Sequence, residues 1–342
     1  MEPRSHALPA LVVALLLVLG LVVGSSLGLS ARIARSEDGR AGTAPSLEPG
    51  AAAALPAGSH SPRRLISLNP SLTAIVLRLG EGERLVGVDD YSARLLEEVA
   101  DRPRVGGLFD PSLESVVALR PDRVLLVAGV DQQSQADALE ALGIGVEIFR
   151  NERLEEVLEN VERLGHLLGR EREAADRIEA ILAMQRAVAE ARASRSRPAT
   201  VAVLDRAPLY VVGGETFLDQ MLEAVGARNL ARALGPGYPR GSIEWLVAAG
   251  PELLLDMTPG SVGADPGADF WSRWPSLPAV RDARVVNVEA SRMSMPGPDL
   301  DLAMRDLAIA VHGEAIAAAI DAALARPHGA EQGAASEGAS RR

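Results

Sequence analysis

Between residues 63 and 324 the apolar and polar positions fall into a recurring order: a short apolar run, a helical stretch with a polar cap, then another apolar run. Residues 64–68 (RLISL) are such a run. They lead into Asn69-Pro70-Ser71, where Ser71 is placed to cap a helix over 72–79 that Gly80 stops. The same reading predicts strands at 85–88, 123–128 and 146–149, and helices at 112–119 and 132–142, the second ended by Gly143. Strands that alternate with helices in this way imply a parallel sheet covered on both faces.

A long helical region follows at 152–196, with Gly165 and Gly169 as the expected division. In its second part Ile178, Ile181, Leu182, Gln185 and Val188 recur at helical spacing with Arg and Glu between them, which predicts a rod of roughly 40 Å. After Pro198 the alternation resumes. Strands are expected at 200–204, 209–212, 252–257 and 284–288. Helices are expected at 216–225, at 242–249 and from Pro298-Asp299 past Val311, with Asp299 as the last helix's cap.

The chain also matches itself. Residues 112–125 read SLESVVALRPDRVL and residues 242–255 read SIEWLVAAGPELLL, aligned without a gap. Each copy is a Ser-capped helix, a Pro break and a buried strand, and the period is far longer than that of a solenoid. The match therefore implies two similar lobes with the helical region between them. Glu114 and Glu244 occupy equivalent places in the first helical turn. They serve either as partners of the positive helix end or as a pair of acidic knobs facing a twofold partner that offers an Arg on each half.

Composition narrows the function classes. The formal net charge is −11 and no Lys/Arg-rich run appears, so no nucleic acid is expected as partner. There is no cysteine, hence no disulfide, thiolate site or lipidated N-terminal Cys. Residues 8–29 are free of charge and long enough to cross a bilayer. They read as an export signal or an uncleaved anchor, either of which puts the remainder outside the cytoplasm.

The expected organisation is 1–35 signal or anchor, 36–62 linker, 63–168 N-terminal lobe, 169–197 interlobe helix, 198–324 C-terminal lobe, and 325–342 a disordered tail. No glycine-rich phosphate loop and no G-x-S-x-G elbow is present, and the adjacent pair Asp89-Asp90 is weak evidence for acid–base work. An enzyme and a cofactor are not expected. Only His166 and His312 lie in the folded region and neither has a His partner at helical spacing. Both read as helix-surface residues, so a bare metal ion is not the expected cargo.

Several segments, taken in order, resemble the periplasmic receptors for vitamin B12 and ferric siderophores. They are LISLNPSLT (65–73), LVGVDDY (85–91), RVGG (104–107), PSLESVVALRPD (111–122), VGGETF (212–217), AVGARN (224–229) and PGP (296–298). The resemblance implies two Rossmann-like α/β lobes with mostly parallel sheets, joined by one long rigid helix, and a metal chelate held in the cleft between them. The chelate would be cobalamin, a ferric siderophore or haem. The implied partners are an ABC permease dimer with its ATPase subunits, docked through Glu114 and Glu244, and the membrane if the N-terminal segment stays uncleaved. A membrane-anchored chelate sensor with the same fold is the alternative.

By position in that family the resemblance implies that the cleft loops would hold Tyr91, Leu108, Phe109, Tyr210, Tyr238, Arg240, Arg292 and Met293. The aromatic residues would wall a ring system and the arginines would pair with an anionic chelate. The B12 receptors carry Trp where this chain has Leu108 and Tyr238, which weakens the resemblance to B12 receptors in particular. A haem receptor needs an axial ligand, for which Tyr91, Tyr210 and Tyr238 are candidates. Trp271 and Trp274 are either core or lid.

Overall fold

The structure is a computed structural model and describes residues 61–108, 110–129, 132–258, 266–289, 293 and 295–326. The expected signal or anchor, nearly all of the linker and nearly all of the tail lie outside the described residues. The N-terminal lobe runs β1 (Leu65–Ser67), α1 (Pro70–Arg78), β2 (Leu85–Val88), α2 (Ser92–Leu95), α3 (Leu113–Ala118), β3 (Arg123–Val127), α4 (Gln132–Ala141) and β4 (Gly145–Phe149). Its sheet has the order β2-β1-β3-β4 with every pairing parallel. Two helices follow, α5 (Leu154–Leu168) and α6 (Glu171–Arg192).

The C-terminal lobe runs β5 (Ala199–Arg206), β6 (Leu209–Val211), α7 (Phe217–Ala224), β7 (Arg228–Asn229), α8 (Ile243–Ala249) and β8 (Leu253–Asp256). It continues with α9 (Pro266–Trp271), α10 (Pro278–Arg281), β9 (Val285–Asn287), α11 (Leu300–His312) and α12 (Ala315–Leu324). Its sheet has the order β6-β5-β8-β9, with β7 also on β5, and β6 is its antiparallel member. Without β6 the two lobes share one topology: β1, β2, β3 and β4 correspond to β5, β7, β8 and β9. The fold is thus two α/β lobes with mostly parallel sheets, and the internal sequence match falls on α3-β3 and α8-β8.

Two of the expected caps are reassigned. Asn69, not Ser71, caps α1: its Oδ1 accepts from Ser71 N at 2.9 Å, and Pro70 fills the first helical position, where a missing N–H costs nothing. Asp299 occupies the N-cap position of α11 but makes no capping bond. Its carboxylate pairs with Arg78 instead.

The lobes are braced by two helices rather than one. α5 gives Val161, Leu164, Leu167 and Leu168 to the N-lobe core, and Leu154 and Val157 to the C-lobe core. α6 gives Ala174 to the first core and Ile181, Met184, Ala187 and Val188 to the second. Each helix is therefore shared between both cores, so a relative rotation of the lobes would shear close-packed side chains. Of the two glycines, Gly169 alone divides the region, closing α5 in the left-handed conformation at φ 70°.

Gly165 lies inside α5 and has another task. A Cβ there would come within 2.5 Å of the Ala174 Cβ on α6, so the missing side chain sets how closely the two brace helices approach. Gly165→Val is expected to destabilise the protein by about 2–3 kcal/mol through overpacking, read as a lowered urea midpoint. An unchanged midpoint would mean that the brace is loosely packed.

Candidate functional site

In open α/β sheets ligands bind beyond the carboxyl ends of the strands. At that edge of the N-lobe, β2 runs into Asp89, which is fully buried. Its Oδ1 accepts from the main-chain N–H groups of Tyr91 at 2.8 Å and Ser92 at 3.0 Å, and its Oδ2 accepts from the Ser92 hydroxyl. The Thr73 hydroxyl lies 2.9 Å from the Ser92 hydroxyl and donates to Ser67 Oγ at 2.8 Å, tying this turn to the start of α1. Burial pushes the Asp89 carboxyl above its ordinary range although these donors pull the other way. The network fixes the backbone of Tyr91. The Tyr91 ring is half-exposed, and the Arg94 guanidinium carbon lies 5.8 Å from its centre. Leu108, on the following loop, is half-buried.

The C-lobe edge is built differently. β5 turns back into β6, so half-buried Tyr210 lies beside exposed Arg240, with which it forms an isolated bridge. Tyr210 and Tyr238 both pack against the large core cluster. The Tyr238 hydroxyl meets the Thr216 side chain in the interior, and burial pushes its ionisation well above the usual phenol range. Met293 is 3% exposed and packs into the same core. Phe109 and Arg292 lie outside the described residues.

Trp271 resolves to core. It is 0% exposed and its Nε1 donates to Asp256 Oδ2 at 2.7 Å. Asp256, also fully buried, accepts from Arg206 Nε at 2.8 Å and from Thr258 N at 3.0 Å. Asp89 and Asp256 are thus buried carboxylates that each hold a loop at the carboxyl edge of one sheet. Sequence reading saw Asp89 only as half of an acid pair. The signal it carried was an Asp two and three residues before the N–H groups it caps.

The lobes also touch one another directly. Arg177 of α6 pairs with Asp301 and donates to the Pro298 carbonyl, and Arg78 of α1 pairs with Asp299. A cavity of ≈ 230 Å³ beside these pairs is lined by Ala74, Leu95 and Leu96 from one lobe and by Met295 and Pro298 from the other. Neither His ends in the cleft. His166 is exposed near Glu171, whereas His312 is half-buried rather than on the surface, with Nε2 2.7 Å from the Val225 carbonyl. Burial draws its imidazole below the usual range.

Glu114 and Glu244 are both exposed and occupy matching first turns. Ser112 Oγ accepts from Ser115 N at 3.2 Å, and Ser242 Oγ accepts from Trp245 N at 3.1 Å. A hydrogen bond from its own main-chain N–H and one from Ser242 hold the Glu244 carboxyl below the ordinary range, so it stays ionised.

Two sheet-bearing lobes around a cleft, locked by shared helices and carrying polar loops at both sheet edges, define a solute receptor. The chain belongs to the periplasmic binding protein family, whose sequence profile matches residues 65–291. It is 28% identical over 262 residues to an uncharacterized ABC transporter substrate-binding lipoprotein of Bacillus subtilis, covering 73% of this chain and 80% of that protein. It is 26% identical over 262 residues to the vitamin B12-binding protein of Photorhabdus laumondii, covering 73% and 89%. A periplasmic heme-binding protein from Pseudomonas aeruginosa superposes with a TM-score of 0.62 at 28% identity, covering 74% of this chain and 94% of that one. The chain is an extracytoplasmic substrate-binding protein of the ABC-importer type.

Proposed function

We propose that this receptor captures an iron tetrapyrrole of the haem class and delivers it to its permease, with Tyr91 as the side chain that meets the metal. The observation that carries this is the fixed Tyr91 turn. Its backbone is tied down by buried Asp89, its ring is half-exposed at the sheet edge, and a guanidinium stands beside it. A tyrosine oxygen is one of the axial ligands that haem iron takes. The other tyrosines suit the role less. The Tyr238 hydroxyl is buried on Thr216 and resists ionisation, and Tyr210 leans on the core. Tyr210 and Arg240, adjacent on the opposite lobe, suit the ring face and a carboxylate of such a cargo. The heme-binding relative from Pseudomonas aeruginosa and the B12-binding relative from Photorhabdus laumondii bracket the choice of tetrapyrrole.

The test titrates purified protein with haemin and with cyanocobalamin, following tryptophan quenching and the Soret band. Haemin is expected to bind with a tyrosinate-type spectrum, and Tyr91→Phe to abolish that spectrum and weaken binding about 10- to 100-fold. Preference for cyanocobalamin, or a haem spectrum unaltered in Tyr91→Phe, would overturn the assignment.

The docking role of Glu114 and Glu244 belongs to the same proposal. Both carboxylates are exposed, ordered by a Ser cap and placed at equivalent points of two lobes of like topology. A twofold partner can meet such a pair with one basic residue per half.

A further inference from the structure

The segment 295–301, between β9 and α11, brings the C-lobe to the N-lobe outside the packed faces of the brace. Its two carboxylates are tied unequally. Asp301 pairs with Arg177 of α6, which also donates to the Pro298 carbonyl, and the two side chains are 12% and 17% exposed. Asp299 pairs with Arg78, in the last turn of α1, and these two are 44% and 45% exposed. Water and salt screen the outer pair far more than the inner one. The segment is therefore fixed at the brace and loosely tied at α1. Beside the outer pair lies the cavity of ≈ 230 Å³, with Ala74, Leu95 and Leu96 on the N-lobe side and Met295 and Pro298 on the other.

Asp299 also has a second partner within reach. It occupies the N-cap position of α11, next to the N–H groups that a helix leaves unpaired in its first turn. It makes no capping bond there. Its backbone, at φ −97° and ψ 27°, lies outside the extended conformation from which an Asp side chain accepts from the second or third helical N–H. One carboxylate thus faces two mutually exclusive uses. They are of similar strength, because an exposed ion pair and a helix cap are both modest contributions.

We infer that Asp299 is a two-position latch between the lobes. In one position it holds Arg78 and fixes the spacing between α1 and the C-lobe. In the other it turns into the extended conformation and caps α11, and Arg78 is released to solvent. The lobes then change their spacing within the limit set by the shared helices, and the cavity beside the pair takes up the movement. Release costs little, since the cap replaces the ion pair. The N-lobe wall of the cavity includes Leu95, the last residue of α2, and α2 follows directly on Tyr91. A change of the latch therefore reaches an element at the edge of the cleft.

The chain has no cysteine. Glu140→Cys on α4 and Ser276→Cys beyond α9, both exposed, therefore carry one spin label per lobe in the otherwise native receptor. Electron–electron distance measurements read the lobe spacing, and thermal midpoints read the cap. Arg78→Gln and Asp299→Asn are each expected to broaden or shift the distance distribution by about 2 Å or more. Their midpoints should stay near that of the labelled parent, because Asp299 is free to cap in the first and Asn caps as well as Asp in the second. Asp299→Ala has neither use of the side chain, so it should broaden the distribution equally and melt below Asp299→Asn. Arg78→Lys keeps a cation and should keep the parent's distribution. Raising salt from 0.1 M to 1 M shortens the screening length from about 10 Å to about 3 Å. That change should broaden the parent and leave Asp299→Asn as it was. A distribution like the parent's in both Arg78→Gln and Asp299→Asn would overturn the latch, as would equal broadening by salt in parent and Asp299→Asn. Equal midpoints for Asp299→Ala and Asp299→Asn would remove the capped position, and the two-position reading with it.

Discussion

Uptake of the cargo is expected to be lost when Glu114 and Glu244 are both replaced by alanine, while cargo affinity stays within about twofold of the parent. Both carboxylates are exposed; removing Glu244 also gives up its hydrogen bonds with its own N–H and Ser242, a loss confined to the first turn of α8 and remote from the cargo-binding loops. What is lost is the match to a basic partner. Each acid is expected to contribute about tenfold to docking, mostly through encounter rate and register, so the double variant falls about 100-fold. The effect should shrink at high salt, because exposed charges further apart than about 10 Å are screened at 0.1 M. Transport assayed in reconstituted vesicles, beside cargo binding in solution, separates the two functions. Normal uptake by the double variant would remove these residues from the docking role.

Trp271→Ala is expected to destabilise the protein by about 4 kcal/mol. The side chain is fully buried in the C-lobe cluster that also carries Leu246, the anchor of α8. Truncation opens a large cavity and takes one of the donors that satisfy buried Asp256. Asp256 in turn holds Arg206 and the main chain at Thr258, so the loss reaches the sheet edge beside the cleft. For a chain of this size the midpoint should fall by about 10 °C. Trp271→Phe should recover part of the packing but not the Asp256 hydrogen bond, and so lie between the two. A Trp271→Ala protein that melts with the parent would return this residue to the lid role that its sequence position also allows.

The alternation of strands and helices was legible because buried parallel strands are short apolar runs and their crossovers are amphipathic helices with polar caps. The match of residues 112–125 with 242–255 was equally legible, and its two halves form the same α-β unit in each sheet. The cleft residues were legible only in part. Tyr91 and Tyr238 look alike in sequence and both are half-buried, yet one ring lies beside Arg94 and the other's hydroxyl meets Thr216. Met293 is an apolar residue near a loop, which sequence alone leaves free to line a cleft or fill a core. Chain folding puts it in the core.

The sequence by itself determined two α/β halves, a helical connection between them, the paired caps with their acids, and the absence of the loops that nucleotide enzymes need. These are local properties, set by the periodicity of burial and by the few residues that can start or stop a helix. Tertiary structure alone decided that two helices share the brace, that Gly165 sets their approach, that Asp299 reaches Arg78 instead of its own helix, and that Trp271 is buried on Asp256. Each of these depends on which residues distant in the chain meet in space, and burial of a side chain belongs to its neighbours as much as to its own chemistry.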